Sequence, residues 1–227
     1  MKFLKISMSD CGLATMNDTT EPEGATAGED LSGLLLPHLL DRPSRDVVET
    51  ELIDRAYQKY IFRARPKQKE TTWLRPEFIR QVHRDMFGEL WDWAGKYRTV
   101  NLNLGVDWHQ IQEHVARLCG DFTYWDSEQS KMPVFEIAAR LQSHLTRIHP
   151  FKNGNGRHAR LITDIFFHSR KMKLPRWPQI QRLSQGDRLR KDYVAAMKKA
   201  DQEDYSGLIA FFEECIQPPK SREEQGA

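Results

Sequence analysis

Between residues 31 and 217 apolar side chains recur at spacings of three and four, and that repeat constrains the fold of this chain more than any other property. Ile111, Val115, Leu118 and Phe122 follow it within 107–127. Ala138, Leu141, Leu145 and Ile148 follow it after Pro133, and Leu161, Ile162, Ile165 and Phe166 follow it over 154–170. One face of a 3.6-residue helix collects such positions, whereas a strand would need alternation. The same spacing predicts helices over 45–64, with Ser44 as N-cap and Val47, Leu52, Ile53, Ala56, Tyr57 and Tyr60 facing inward, and over 74–87, with Pro76 in the first turn and Phe78, Ile79, Val82 and Met86 inward. Two more are expected at about 188–200 and 204–217. Tyr97–Gly105 breaks the rule: partial alternation, β-branched residues and a closing glycine predict a short hairpin or extended flap. The expected fold is all-α, a helical bundle with one small β excursion.

The chain has 227 residues, enough for one domain of 31–217 that needs no disulfide to hold its core. Residues 1–30 are small, polar and acidic and are expected to be a flexible segment; 218–227 are expected to be a tail. Lys plus Arg is 34 against 32 Asp plus Glu, a net charge of +2, which argues against direct nucleic-acid binding. Cys11, Cys119 and Cys215 are isolated, without zinc spacing, and suit reduced thiols in the cytoplasm. No stretch is long enough to span a membrane. Five tryptophans, Trp73, Trp91, Trp93, Trp108 and Trp125, are expected in the core or at its rim. The basic cluster Arg182, Arg188, Arg190 and Lys191 reads as a solvated face.

Chemistry concentrates in one break between two helices, His149-Pro150-Phe151-Lys152-Asn153-Gly154-Asn155-Gly156-Arg157-His158-Ala159-Arg160. Pro150 disfavours helical dihedrals at His149, so the imidazole should stand at a helix exit, on a loop rather than inside a packed face. Phe151 would anchor that loop. Two glycines can take backbone angles other residues avoid, and the amides around Gly154, Asn155 and Gly156 would converge at the start of the next helix, where the helix dipole favours an anion. Arg157 and Arg160 lie three apart on one helical face, and their planar forks suit phosphate oxygens. His149 can accept a proton near neutral pH. The chemistry that fits is the handling of a phosphate ester beside a general base.

These twelve residues resemble the signature of the Fic family, HPFx[DE]GNGRxxR, at every fixed position but one. Trp93–Thr99 resembles the segment leading into that family's flap, and Tyr193–Phe212 is similar to its C-terminal helices. With GVDWHQI at 105–111, the resemblance narrows to the subgroup called mobile mystery protein B. It implies a Fic-type helical bundle with a β-hairpin flap, and transfer of AMP from ATP, with Mg²⁺, to a Ser, Thr or Tyr hydroxyl of a target protein. His149 would then be the general base and Gly154, Asn155 and Gly156 the anion hole. Arg157 and Arg160 would neutralise the β and γ phosphates; the charge of Lys152 could contact phosphate too or simply face solvent. Asn101, Leu102, Asn103, Leu104 and Gly105 would form the flap on which the target docks by strand addition.

The departure is Asn153, where the family carries a metal-binding acid. A neutral carbonyl oxygen can ligate a hard cation without charge attraction. That leaves open weakened adenylyl transfer, binding of a nucleotide or partner without catalysis, or transfer from another phosphate-containing donor. Family members are often restrained by a helix bearing [ST]xxxE[GN]. Thr19–Gly24 fits the pattern, but Pro22 opposes a helix there; Thr50–Arg55 is a near match with Asp54 in place of Glu. The resemblance therefore points to inhibition from another chain, such as a helix-turn-helix protein encoded nearby, in a toxin–antitoxin-like arrangement.

Overall fold

The computed structural model describes residues 30–63, 73–177 and 188–216. The N-terminal segment before Asp30, the candidate motif Thr19–Gly24, Cys11, Arg182 and the tail from residue 217 onward lie outside them. Among the described residues there are seven α-helices: α1 (Arg42–Tyr57), α2 (Pro76–Phe87), α3 (Ile111–Trp125), α4 (Val134–Ile148), α5 (Asn155–Ser169), α6 (Arg188–Ala200) and α7 (Ser206–Ile216). α1 runs on into a π-helical turn, Gln58–Phe62, and a 3₁₀ turn, Trp108–Gln110, leads into α3. None of the described helices is long and apolar enough to cross a membrane.

α4 is the central element, in contact with α3, α5, α6 and α7, while α5 also packs on α2 and α2 on α1. Its apolar repeat explains that position: Ala138, Leu141, Leu145 and Ile148 are all buried, and so are Ile111, Val115, Leu118 and Phe122 of α3. Leu161, Ile162, Ile165 and Phe166 bury the matching side of α5. Phe87, Phe122, Phe166, Phe167 and Phe212 fill the space between them and are fully buried. Trp91 and Trp125 are buried, and Trp73, Trp93 and Trp108 pack against the core from its rim.

α1 differs from its sequence reading. Its N-cap is Asp41, whose carboxylate accepts from the Ser44 N–H at 2.9 Å, so Ser44 lies inside the first turn. Val47 is exposed. The buried positions are Arg45, Glu49, Leu52 and Ala56, a helical stripe of which two members are charged. The stripe is set by partners rather than by hydrophobicity: Arg45 donates to the Leu39 and Leu40 carbonyls, and Glu49 accepts from the Trp91 indole at 2.8 Å.

The hairpin expected over 97–105 is not formed. Among the described residues the sole β pairing is an isolated antiparallel bridge between Leu34 and Trp91, flanked by Leu35 N–H to Leu90 O and Asp92 N–H to Gly33 O, both 2.9 Å. In the flap a side chain replaces the strand ladder. Arg98 donates from Nε to the His149 carbonyl and from Nη1 to the Val100 carbonyl, both at 2.8 Å, and from Nη2 to the Val106 carbonyl. The Val100 and Val106 carbonyls are thus turned toward one guanidinium rather than toward each other's strand.

Candidate active site

α4 ends where Pro150 requires it to. His149 adopts left-handed dihedrals, φ 52° and ψ 58°, and its N–H returns to the Leu145 carbonyl. The side chain turns inward and is buried rather than open on the loop. Its Nδ1 lies 3.3 Å from the Thr146 carbonyl, a contact that places the proton on Nδ1 and makes Nε2 the basic nitrogen. Burial lowers the pKa to about 4, the Thr146 carbonyl opposes that shift, and the Arg98 charge adds to it. The ring is therefore neutral at pH 7, the state a proton acceptor needs. The flap crosses directly over it: a Cβ on Gly105 would come within 2.7 Å of the His149 Cβ and 2.6 Å of Arg98 Nη2. His149 and the flap, predicted separately, thus meet.

Phe151 is fully buried, as expected of the anchor. The turn beyond it depends on Gly154 (φ 76°), where a Cβ would come within 2.6 Å of the Phe87 ring. Gly156 is different. It lies in α5 with open space where a Cβ would stand, so neither backbone nor packing demands glycine there. What the glycine leaves is room above the helix N-terminus. The first helical bond of α5 runs from the His158 N–H to the Gly154 carbonyl at 2.9 Å, so the amides of Asn155, Gly156 and Arg157 precede the ladder, as at any helix start. Those amides and the helix dipole give this end of α5 a positive potential that favours an anion.

Several side chains of the motif serve the loop rather than a ligand. Asn155 is buried and clips the loop shut: its Oδ1 accepts from the Phe151 N–H at 2.9 Å and its Nδ2 donates to the Phe151 carbonyl at 2.8 Å. Its contribution to an anion hole is its backbone amide. Lys152 is engaged by the stretch before α1. Its ammonium lies 2.6 Å from the Asp30 carboxylate and 2.6 Å from Ser32 Oγ, and that partner is the main cause of the low pKa of Asp30, about 2. Asn153 is exposed, and its Oδ1 accepts from the Gly154 N–H at 2.6 Å. As a cation ligand it offers one neutral oxygen that already accepts a hydrogen bond. Among the described residues no cluster of three His, Cys, Asp or Glu residues could hold a metal. This donor set does not make a cation site of its own.

The two arginines are placed differently. Arg157 lies over the Phe87 ring at 4.8 Å and is paired with Glu49 of α1. Arg160 is half-buried; burial lowers its pKa, and Tyr57, Tyr193 and Asp164 lie close enough to oppose that shift. Beneath it Asp164 accepts from the Tyr57 hydroxyl at 2.7 Å and the Trp177 indole at 2.8 Å, and burial lifts its pKa to about 7. Glu49 and Asp164 were not found by sequence reasoning. The usable signal for Glu49 was its place in the stripe 45–49–52–56, which only a buried charge would interrupt.

Residues 73–167 match the model of the Fic/DOC family. A curated relative, "Probable protein adenylyltransferase y4lH" of Sinorhizobium fredii, is 29% identical over 85 residues, 34% of this chain and 44% of its own length. "Protein adenylyltransferase fic-1" of Caenorhabditis briggsae is 33% identical over 90 residues, 38% of this chain and 18% of its own. The chain thus spans less than half the length of either. The N-terminal Fic domain of a VirB-translocated Bep effector protein from Bartonella quintana, solved with bound ADP, superposes with a TM-score of 0.55 at 16% identity, covering 79% of this chain and 88% of that one. That likeness establishes the Fic helical fold.

Proposed function

We propose that the protein is an adenylyltransferase that moves AMP from ATP to a hydroxyl of a target protein. The observation that carries the proposal is the meeting, within one loop, of a neutral buried His149 under the flap and the free-standing amides at the start of α5. The likeness to two relatives named as protein adenylyltransferases supports it. In this reading the target hydroxyl attacks the α phosphorus and gives its proton to Nε2 of His149. A new P–O bond forms, the bond to the bridging oxygen breaks, and pyrophosphate leaves. The amides of 155–157 and the guanidinium of Arg160 hold the polyphosphate, and Arg157 joins them when it leaves Glu49. The target docks against Asn101–Gly105, and the protein acts in the cytoplasm without binding nucleic acid. The subgroup resemblance at Gly105–Ile111 adds mobile mystery protein B as the narrower assignment, with a helix-turn-helix partner as the candidate inhibitor.

The test is incubation of the full chain with Mg²⁺, lysate and ATP labelled at the α or the γ phosphate. Protein label from α-ATP alone, lost in His149→Ala while nucleotide binding survives, is the expected result; transfer retained by His149→Ala ends the proposal. Asn153 favours a second reading, in which the domain binds nucleotide or a partner without transfer. On that reading Asn153→Asp raises transfer strongly, and an unchanged rate counts against it.

A further inference from the structure

A residue outside the signature joins the two halves of this site. His83 of α2 is fully buried, and both of its ring nitrogens are engaged. The Gly95 N–H donates to Nδ1 at 3.0 Å, which makes Nδ1 the unprotonated nitrogen. Nε2 therefore carries the hydrogen and donates it to the Asn153 carbonyl at 3.0 Å. The ring stacks on Phe151 at 3.7 Å, with the His158 ring edge-on at 5.5 Å. Neutral imidazole satisfies both bonds at once, and burial favours that form by pushing the pKa well below 6.5.

Each bond fixes a different part of the site. Gly95 has φ 73°, and its carbonyl accepts from Arg80 Nε at 2.9 Å. Three residues on, Arg98 donates its N–H to the Pro150 carbonyl at 2.9 Å and grips the His149 carbonyl. On the other side, the Asn153 carbonyl sets the peptide that leads into Gly154 and the start of α5. We propose that His83 is a positioning residue, which holds the root of the flap and the anion loop in a fixed relation without touching a reactant. Its functional meaning rests on the adenylyl-transfer reading; its structural meaning does not.

The test compares His83→Phe, which keeps an aromatic ring for Phe151 but removes both hydrogen bonds, with His83→Gln, whose amide can donate to Asn153 and accept from Gly95. Two quantities are measured on the full chain: affinity for ADP by calorimetry, and hydrogen exchange of the Gly95 and Gly154 amides. In His83→Phe, ADP affinity is expected to fall by roughly tenfold to a hundredfold, the scale of an ångström-sized misplacement, and both amides to exchange faster. His83→Gln is expected to stay within about threefold of the parent, since it replaces both bonds. Unchanged affinity and exchange in His83→Phe overturn the proposal, as does a folded His83→Gln that falls as far as His83→Phe. If His83→Phe does not fold, nitrogen NMR of the parent decides, because a hydrogen found on Nδ1 is incompatible with the Gly95 bond. A parent that binds no ADP sinks the adenylyl-transfer reading, while the exchange measurements still judge His83.

Discussion

The loop from His149 to Arg157 and the flap from Tyr97 to Asp107 face each other across the same histidine, yet they are held in opposite ways. The loop is fixed from beneath by partners distant in sequence: Phe87 under Gly154, His83 on the Asn153 carbonyl, and Glu49 on Arg157. The flap is tied by Arg98, through its guanidinium and its N–H to the Pro150 carbonyl, by the Val106 N–H to the Ile148 carbonyl at 3.4 Å, and where Asn101 donates to the Asp107 carboxylate at 3.0 Å and accepts from the Trp108 N–H at 2.9 Å. Beyond those ties Val100 and Leu104 are exposed. A site that must present amides to an anion needs the first kind of support. A surface that must accept an incoming chain can have the second.

The contrast breaks most severely at Gly154. An alanine there must hold a left-handed backbone, and its methyl group collides with the fully buried Phe87 ring. The two effects together are expected to cost about 2–5 kcal/mol, visible as a lower denaturant midpoint. Gly156→Ala provides the control, since open space surrounds it, and should leave stability nearly unchanged. Equal losses in the two variants would show that the loop is not supported from below.

Arg98→Ala attacks the flap. It removes three donors from carbonyls that are turned inward, one of them that of His149, at an expected cost of about 2–4 kcal/mol. Amide exchange over 100–106 should rise far more than over 154–158. Uniform loosening of both segments would mean that they are one unit rather than two.

Acid should separate them further. His149 and His158 both have pKa values lowered to about 4 by burial. The unfolded chain takes up these protons near pH 6.5 and the folded chain does not, so this contribution is complete above 6.5 and is lost as pH falls toward 4. At pH 5.5 the expected loss is about 1 kcal/mol for each histidine. Asp107 in the flap, held near a pKa of about 2 chiefly by Asn101, stays charged throughout that window. Exchange measured from pH 7 to 5.5 should therefore rise first in the loop, once corrected for the intrinsic pH dependence of exchange. A flap that loosens first would contradict this.

What could be read in the sequence follows the same division between local and distant causes. Helices α2 to α5 were legible because apolar spacing is a local property that burial amplifies. The end of α4 at His149 was legible because Pro150 acts on its neighbour. The inward stripe of α1 was legible at Leu52 and Ala56 but not at Arg45 and Glu49, which face the core by virtue of the Leu39 and Leu40 carbonyls, Trp91 and Arg157. The choice between hairpin and extended flap for 97–105 was not legible, because alternation there carries no sign that Arg98 will engage the Val100 and Val106 carbonyls. Nothing local to His83 says that Gly95 and Asn153 will find its two nitrogens.

The smallest expected effect tests the same point at the surface. The charge of the lysine beside Asn153 suits either a phosphate or solvent, and its ammonium lies on Asp30 and Ser32 of the N-terminal stretch. An ion pair this exposed contributes within about 1 kcal/mol, so Lys152→Ala should barely shift the unfolding midpoint. Nucleotide affinity separates the alternatives more sharply. If the ammonium stays with Asp30, ADP binding by Lys152→Ala matches the parent. If the lysine swings over to a bound phosphate, the lost charge-assisted bond should weaken binding by roughly tenfold. Asp30→Asn would then tighten binding by freeing the lysine, and no change in either variant would confine Lys152 to holding the chain before α1 against the loop.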